Sequence, residues 1–203
     1  MALVSSYEAF MVDYGGVMVR HQSDADQAKL AHIAGLDKEL FTELYWSERP
    51  DYDRDVISGT EYWQKIAQSA GTTLTEQVIQ ELIDFDNRSW MQFDSVMWEW
   101  VEQLRAAGKR VGLISNMPRD LGEALKSRTQ KLSNFDQLTL SYEIHAVKPE
   151  PAVYEHCLDG LNTPPEQTLF VDDRIENVQG AELLGIRAIQ FTSRDDVLVR
   201  LRS

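Results

Sequence analysis

Cysteine is all but missing from this chain. Cys157 is its single thiol in 203 residues, so no intramolecular disulfide can form, and a reducing cytoplasm is the expected setting. Val153, Leu158 and Leu161 share its helical spacing, which predicts a buried structural thiol and no nucleophile. Positive charge is scarce as well: 20 Lys and Arg stand against 33 Asp and Glu, a formal net charge of −13. That balance excludes broad binding to nucleic acid or to an anionic membrane surface, both of which need basic residues to replace counterions. An anionic ligand would have to meet a locally positive site. No segment approaches the length of apolar chain that crosses a bilayer, and the first residues, Met-Ala-Leu-Val-Ser-Ser-Tyr-Glu, lack the basic and apolar regions of a secretion signal. The four histidines have no zinc-ligand spacing. Internal repeats, low-complexity tracts and a proline-rich linker are absent too.

Apolar residues make up 43% of the chain, enough for a substantial core. Five short apolar runs read as buried strands, at about 8–13, 110–115, 137–141, 168–172 and 187–191. Helical patterns alternate with the later ones: Val96, Trp100 and Leu104 precede a capping Gly108, and Ala181 and Leu184 precede Gly185. This alternation predicts an α/β fold with a parallel five-stranded sheet between two helical layers. The stretch 20–93 breaks it and has no convincing strand. Ser58 with Glu61 has capping-box form before Tyr62, Trp63 and Ile66, and Thr75 can cap a helix carrying Val78, Ile79, Leu82 and Ile83. With helical patterns at 25–34 and 38–45, a bundle of roughly four helices is expected as an inserted small α-helical cap, 20–93, on a core formed by 1–19 and 94–203.

The chemistry gathers where strands end. Phe10-Met11-Val12 delivers Asp13 onto a turn, Tyr14-Gly15-Gly16, whose backbone can approach an anion closely. Ser115 and Asn116 end the second strand, Lys148 precedes Pro149 in a loop that the proline holds extended, and Asp172 and Asp173 end the fourth strand. Asp13 can attack phosphorus, and Lys148 and Ser115 can hold phosphoryl oxygens. Two adjacent acids facing Asp13 would repel it without a cation, and oxygen ligands of this kind suit Mg2+. Capping and surface roles are the bland readings of the same residues. Most of the aromatic residues fall on helical apolar faces and are expected in the core, whereas Trp46 and Arg49, near a loop of the insertion, are placed to meet substrate.

Taken together, these segments resemble the haloacid dehalogenase superfamily, over most of the chain and in the family's order: Asp13 in Asp-Tyr-Gly-Gly-Val, Ser115-Asn116, Lys148 in Lys-Pro-Glu-Pro-Ala-Val-Tyr, and Asp172-Asp173 followed by Glu176-Asn177 and Gly180-Ala181. The resemblance implies a Rossmann-like three-layer core. It makes Asp13 the nucleophile and a metal ligand, the Gly15 carbonyl a second ligand, Asp173 the main carboxylate ligand and Asp172 its helper. Tyr14, Gly15, Ser115, Asn116 and Lys148 would hold the phosphate. It implies a Mg2+-dependent phosphatase acting on a small phosphorylated metabolite through an aspartyl-phosphate, with a sugar phosphate favoured and a monomer or homodimer as the assembly.

Two departures from the family pattern stand out. The position two residues after the nucleophile, where family phosphatases carry an aspartate acid, is Gly15; His21, just beyond the turn, is the nearest replacement. His145 stands where relatives carry glycine, and its side chain is placed to enter the pocket rim or to face water. The alternatives are a metal-free 2-haloacid dehalogenase, against which the Asp172-Asp173 pair argues, and a catalytically weak binding or regulatory protein that keeps the fold without the acid.

Overall fold

The computed structural model describes residues 5–195 and residue 199. The outer ends of the expected core, including the first four residues of the chain, lie outside that range. Five parallel strands form one sheet in the order β3-β2-β1-β4-β5: β1 (Ala9–Asp13), β2 (Arg110–Ser115), β3 (Gln137–Leu140), β4 (Thr168–Asp172) and β5 (Arg187–Gln190). The central β1 pairs with β2 on one side and β4 on the other, and all five of its residues are buried. Such a run must be apolar on both faces, as Ala-Phe-Met-Val is.

Strand parity divides those side chains between two layers. Phe10 and Val12 pack with Trp98, Trp100, Val101 and Leu104 of α6 (Ser95–Ala106) and with Leu121 and Leu125 of α7 (Arg119–Arg128). Ala9 and Met11 pack on the other side with Val153, Tyr154 and Leu161 of α9 (Pro151–Leu161) and with Val178 and Ala181 of α10 (Ile175–Leu183). Each fully buried side chain of the size of Phe10 or Val12 contributes about 1.5–3 kcal/mol. Cys157 sits among them, fully buried, with its thiol pKa pushed up to about 12 by burial, which is the inert thiol expected. The strands fall within a residue of their expected limits, except that Ser141 opens a four-residue helix, α8 (Ser141–Ile144), instead of extending β3.

Between β1 and α6 lie five helices, one more than expected: α1 (Asp24–Ala34), α2 (Lys38–Ser47), α3 (Arg49–Asp53), α4 (Gly59–Ser69) and α5 (Glu76–Ser89). They enclose their own apolar cluster, centred on Leu30, Phe41, Tyr62, Trp63, Ile66 and Leu82. The Ser58–Glu61 capping box and the Thr75 cap are present. The unexpected α3 is five residues long with Pro50 in its first turn, too short for periodicity to reveal. Chain entering and leaving the insertion pairs through Val19 and Phe93. On the far side, residues 52–55 are tied to the core: Tyr52 donates to Asp120 at 2.7 Å, Ser141 Oγ to the Asp53 carbonyl at 2.6 Å, and Arg54 and Asp55 pair with Glu150 and Arg119. Among the described residues no helix is long and apolar enough to cross a membrane.

Candidate active site

A cavity of about 600 Å3 opens between the insertion and the carboxyl ends of β1, β2 and β4. At its floor Lys148 Nζ lies 2.6 Å from Asp13 Oδ1 and 2.7 Å from Asp172 Oδ2, and donates to the Ile114 carbonyl at 3.2 Å. Asn116 fixes the lysine's backbone from both sides: its Oδ1 accepts the Lys148 N–H at 2.7 Å and its Nδ2 donates to the Lys148 carbonyl at 3.0 Å. The Lys148–Pro149 bond is cis. Tyr14 donates its backbone N–H to Asp13 Oδ1 at 2.6 Å, while its phenol turns into the core and donates to the Trp90 carbonyl. Ser115 lines the cavity, and its hydroxyl makes no hydrogen bond among the described residues.

The two adjacent acids are differently placed. Asp172 is fully buried and accepts from Lys148, from the Arg174 N–H at 2.8 Å and, through both oxygens, from Asn177. Asp173 faces the cavity, with Oδ2 2.9 Å from His21 Nε2. Oxygens of Asp13, Asp172 and Asp173 all lie within 4.8 Å of one another. Burial, with the charges of Asp172 and Asp173, drives the Asp13 pKa well above the ordinary carboxylate value, against Lys148. Burial alone would discharge Lys148, but Asp13 and Asp172 more than offset it and hold its pKa above the usual lysine value. Three carboxylates stand against the Lys148 ammonium at the cavity floor, with only the exposed His21 beside Asp173. A divalent cation would balance them, and the all-oxygen donor set fits magnesium.

His21 is drawn to this cluster. Its hydrogen bond to Asp173 raises its pKa, and its ring lies over Gly16, where a Cβ would stand 2.5 Å from Nε2 and 2.8 Å from Asp173 Oδ2. With φ at +73°, only glycine suits that position. At Gly15, by contrast, a Cβ would meet only the Trp90 ring at 3.5 Å, an ordinary contact.

His145 does not reach the cavity lining. Its Nδ1 lies 2.9 Å from the Arg54 carbonyl, so the ring ties the insertion to the core and stays exposed to water on its other side. Trp46 and Arg49 both line the cavity, on either side of the junction at Glu48 where α2 gives way to α3. Arg49 is buried, with Nε 2.7 Å from Asp53 and Nη1 directed at Asp86 and the Tyr45 hydroxyl. Trp90, expected in the core, closes one side of the cavity while its indole N–H donates to Tyr45 at 3.1 Å. Tyr45, Arg49 and Asp53 stand four apart, as do Asp86 and Trp90, but nothing in the sequence links the two sets, which three separate helices bring together. Asn177, which the sequence offers only as a family motif residue, proves to be the main partner of Asp172.

Residues 7–185 match the family described as haloacid dehalogenase-like hydrolase. A drimenol cyclase of Aspergillus calidoustus is 33% identical over 93% of this chain, which spans about a third of that relative's length (35%). A sesquiterpene phosphatase of Aspergillus oryzae is 23% identical, covering 98% of this chain and 97% of its own. A D-ribitol-5-phosphate phosphatase of Bacteroides thetaiotaomicron is 27% identical, covering 88% of each chain. Among solved structures, a haloacid dehalogenase family enzyme of Bacteroides thetaiotaomicron, crystallised as an aspartate-to-alanine variant with magnesium and inorganic phosphate, superposes with a TM-score of 0.73 at 20% identity, covering 94% of this chain and 98% of that one.

Proposed function

The chain belongs to the haloacid dehalogenase-like hydrolases, and on that premise we propose that it is a magnesium-dependent phosphatase of a small phosphomonoester, with Asp13 as the nucleophile. The observation that carries this reading is the Asp13–Lys148–Asp172 chain of ion pairs at 2.6 and 2.7 Å under a cavity of metabolite size. In this reading helices α1–α5 act as the cap. Two relatives named as phosphatases support it.

An oxygen of Asp13 attacks phosphorus, the ester oxygen leaves and takes up a proton, and water then cleaves the aspartyl-phosphate to return Asp13 and free phosphate. The Lys148 ammonium, the free Ser115 hydroxyl and the backbone N–H groups of the Tyr14-Gly15 turn would hold the phosphoryl oxygens. Asn116 would act through Lys148, whose backbone it grips at 2.7 and 3.0 Å. Asp13, Asp173, the Gly15 carbonyl and, behind them, Asp172 would hold magnesium, which supplies charge neutralisation between carboxylate and phosphate. Asp172, with its oxygens already accepting from Lys148 and Asn177, serves mainly to orient them.

With no acid at Gly15, and with the expected replacement His21 engaged through Nε2 with Asp173 at 2.9 Å, the departing oxygen would draw its proton from solvent, so esters of poor leaving groups should turn over slowly. Because the space beside Gly15 is open to a Cβ, Gly15→Asp is expected to speed hydrolysis of an alkyl phosphate by about 10²-fold and to change acetyl phosphate hydrolysis little. Equal effects on both substrates would show that proton delivery is not what Gly15 removes. The glycine also gives a second reading its footing, that of a binding protein with the same ligand chemistry. Phosphate release from a panel of sugar phosphates, acyl phosphates and p-nitrophenyl phosphate, with magnesium and with EDTA, separates the two. The sugar phosphate favoured on family grounds has the D-ribitol-5-phosphate phosphatase as its support.

A further inference from the structure

The cavity is lined by both polar and apolar side chains. Around its floor stand Asp13, Lys148, Ser115 and Asp173, enough for a phosphoryl group and a cation. Away from the floor the walls are Trp46 and Pro50 on the insertion, Trp90 at its exit, and Met117, Leu121 and Val147 on the core. Trp46 keeps 44% of its surface exposed, although its neighbours Tyr45 and Trp63 are almost fully buried.

The insertion does bring charge to this wall, in Arg49 and Asp53, but that charge is committed inward. Arg49 Nε donates to Asp53 Oδ1 at 2.7 Å, Nη1 lies 3.3 Å from Asp86 Oδ2, and the Tyr45 hydroxyl that also meets Nη1 donates to Asp86 Oδ1 at 2.8 Å. Among the described residues, Nη2 of Arg49 and Oδ2 of Asp53 make no hydrogen bond. Of the other polar side chains on the lining, His21, Asn116 and Asn177 are engaged with Asp173, the Lys148 backbone and Asp172, which leaves Arg174. A sugar chain would arrive with roughly four or five hydroxyls for these few partners, and a hydroxyl buried without a partner costs more than its burial gains. A hydrocarbon chain has no such demand and would cover the exposed indole of Trp46 and the ring of Pro50. A volume of about 600 Å3 is in the range that takes a drug-sized ligand, far more than a phosphoryl group with two or three carbons needs.

We infer that the substrate is the phosphomonoester of an apolar alcohol of medium length, carrying at most one further polar group, with Trp46 selecting it. This rests on the phosphatase reading above and replaces the sugar in it by a hydrocarbon.

The test is a series of n-alkyl phosphates from ethyl to octyl, whose leaving groups have nearly the same basicity, beside sugar phosphates of matching carbon number. The expected result is a rise in kcat/KM of about two- to fourfold per added methylene until the cavity is full, and a lower value for each sugar phosphate than for its alkyl counterpart. Trp46→Ala should cut the octyl ester far more than the ethyl ester, and Trp46→Phe should restore most of the difference. A flat series, or a sugar phosphate that exceeds its alkyl counterpart, overturns the inference. Binding of the matching alkylphosphonates, followed by tryptophan fluorescence, separates the two readings. If binding tightens with chain length while no ester is hydrolysed, the apolar ligand class stands and the phosphatase reading fails. Hydrolysis without chain-length dependence leaves the phosphatase standing and overturns the apolar ligand class.

Discussion

Asp13→Asn is expected to lower magnesium-dependent phosphate release by at least about 10⁴-fold, the scale on which loss of a nucleophile acts, and to leave the fold as stable as before or more so. The two halves of this expectation have one cause. Asp13 is 6% exposed, and burial with the charges of Asp172 and Asp173 makes its ionised form costly. An amide of the same shape removes that cost, still offers an oxygen to Lys148 and to the Tyr14 N–H, and leaves Asp172 to balance the ammonium. What it cannot do is displace an alcohol from phosphorus. A steady-state assay beside thermal unfolding checks both; a variant that retains activity, or one that loses activity because it unfolds, contradicts the assignment.

The second large effect is expected from Lys148→Met. The side chain is 2% exposed and touches two buried carboxylates, so its removal leaves both unpaired. Breaking a buried pair from one side costs about 3–5 kcal/mol, which for a chain of this size lowers Tm by roughly 10 °C. Activity should vanish with it, since the phosphoryl group loses its fixed cation. The pH dependence follows from the direction of the Asp13 shift. Its carboxyl binds a proton more tightly in the folded protein than in the unfolded one, so protonation favours the native state. Without Lys148 this imbalance grows, and the variant should gain stability as the pH falls from neutrality towards the ordinary carboxylate range. Magnesium should recover part of the lost Tm, because it replaces the missing positive charge and binds only the folded chain. A variant as stable as the parent at neutral pH, or one that loses stability on mild acidification, would show that Lys148 does not carry this balance.

The strands could be read because each carries buried apolar residues, β1 and β4 along their whole length, and because Gly108 and Gly185 punctuate the helices between them at φ +77° and +81°. The four segments of the candidate site were equally visible, since a parallel sheet delivers the carboxyl ends of its strands to one edge. What stayed hidden is what helices bring together across the chain. Tyr45 and Arg49 stand four apart, but Asp86 lies 37 positions beyond Arg49 on another helix, a separation that carries no period. The same holds for His145. As a substitution for glycine in a motif loop it could enter the pocket rim or face water, and it is exposed; at φ +54° its ring also turns to the Arg54 carbonyl 91 positions away, a contact no local rule predicts. Trp90 was indistinguishable from a core aromatic because it is one on most of its surface: it is 8% exposed and still walls the cavity.

The central claim is that Asp13 forms the covalent bond to phosphorus. Its most direct test is acid quenching of the magnesium-loaded protein during turnover of acetyl phosphate, followed by mass spectrometry of the peptide that contains Asp13. The account predicts one phosphoryl group on Asp13, absent from Asp13→Asn and absent when EDTA replaces magnesium. Phosphate release with no phosphoryl group on Asp13, or with that group on His21 instead, would contradict it.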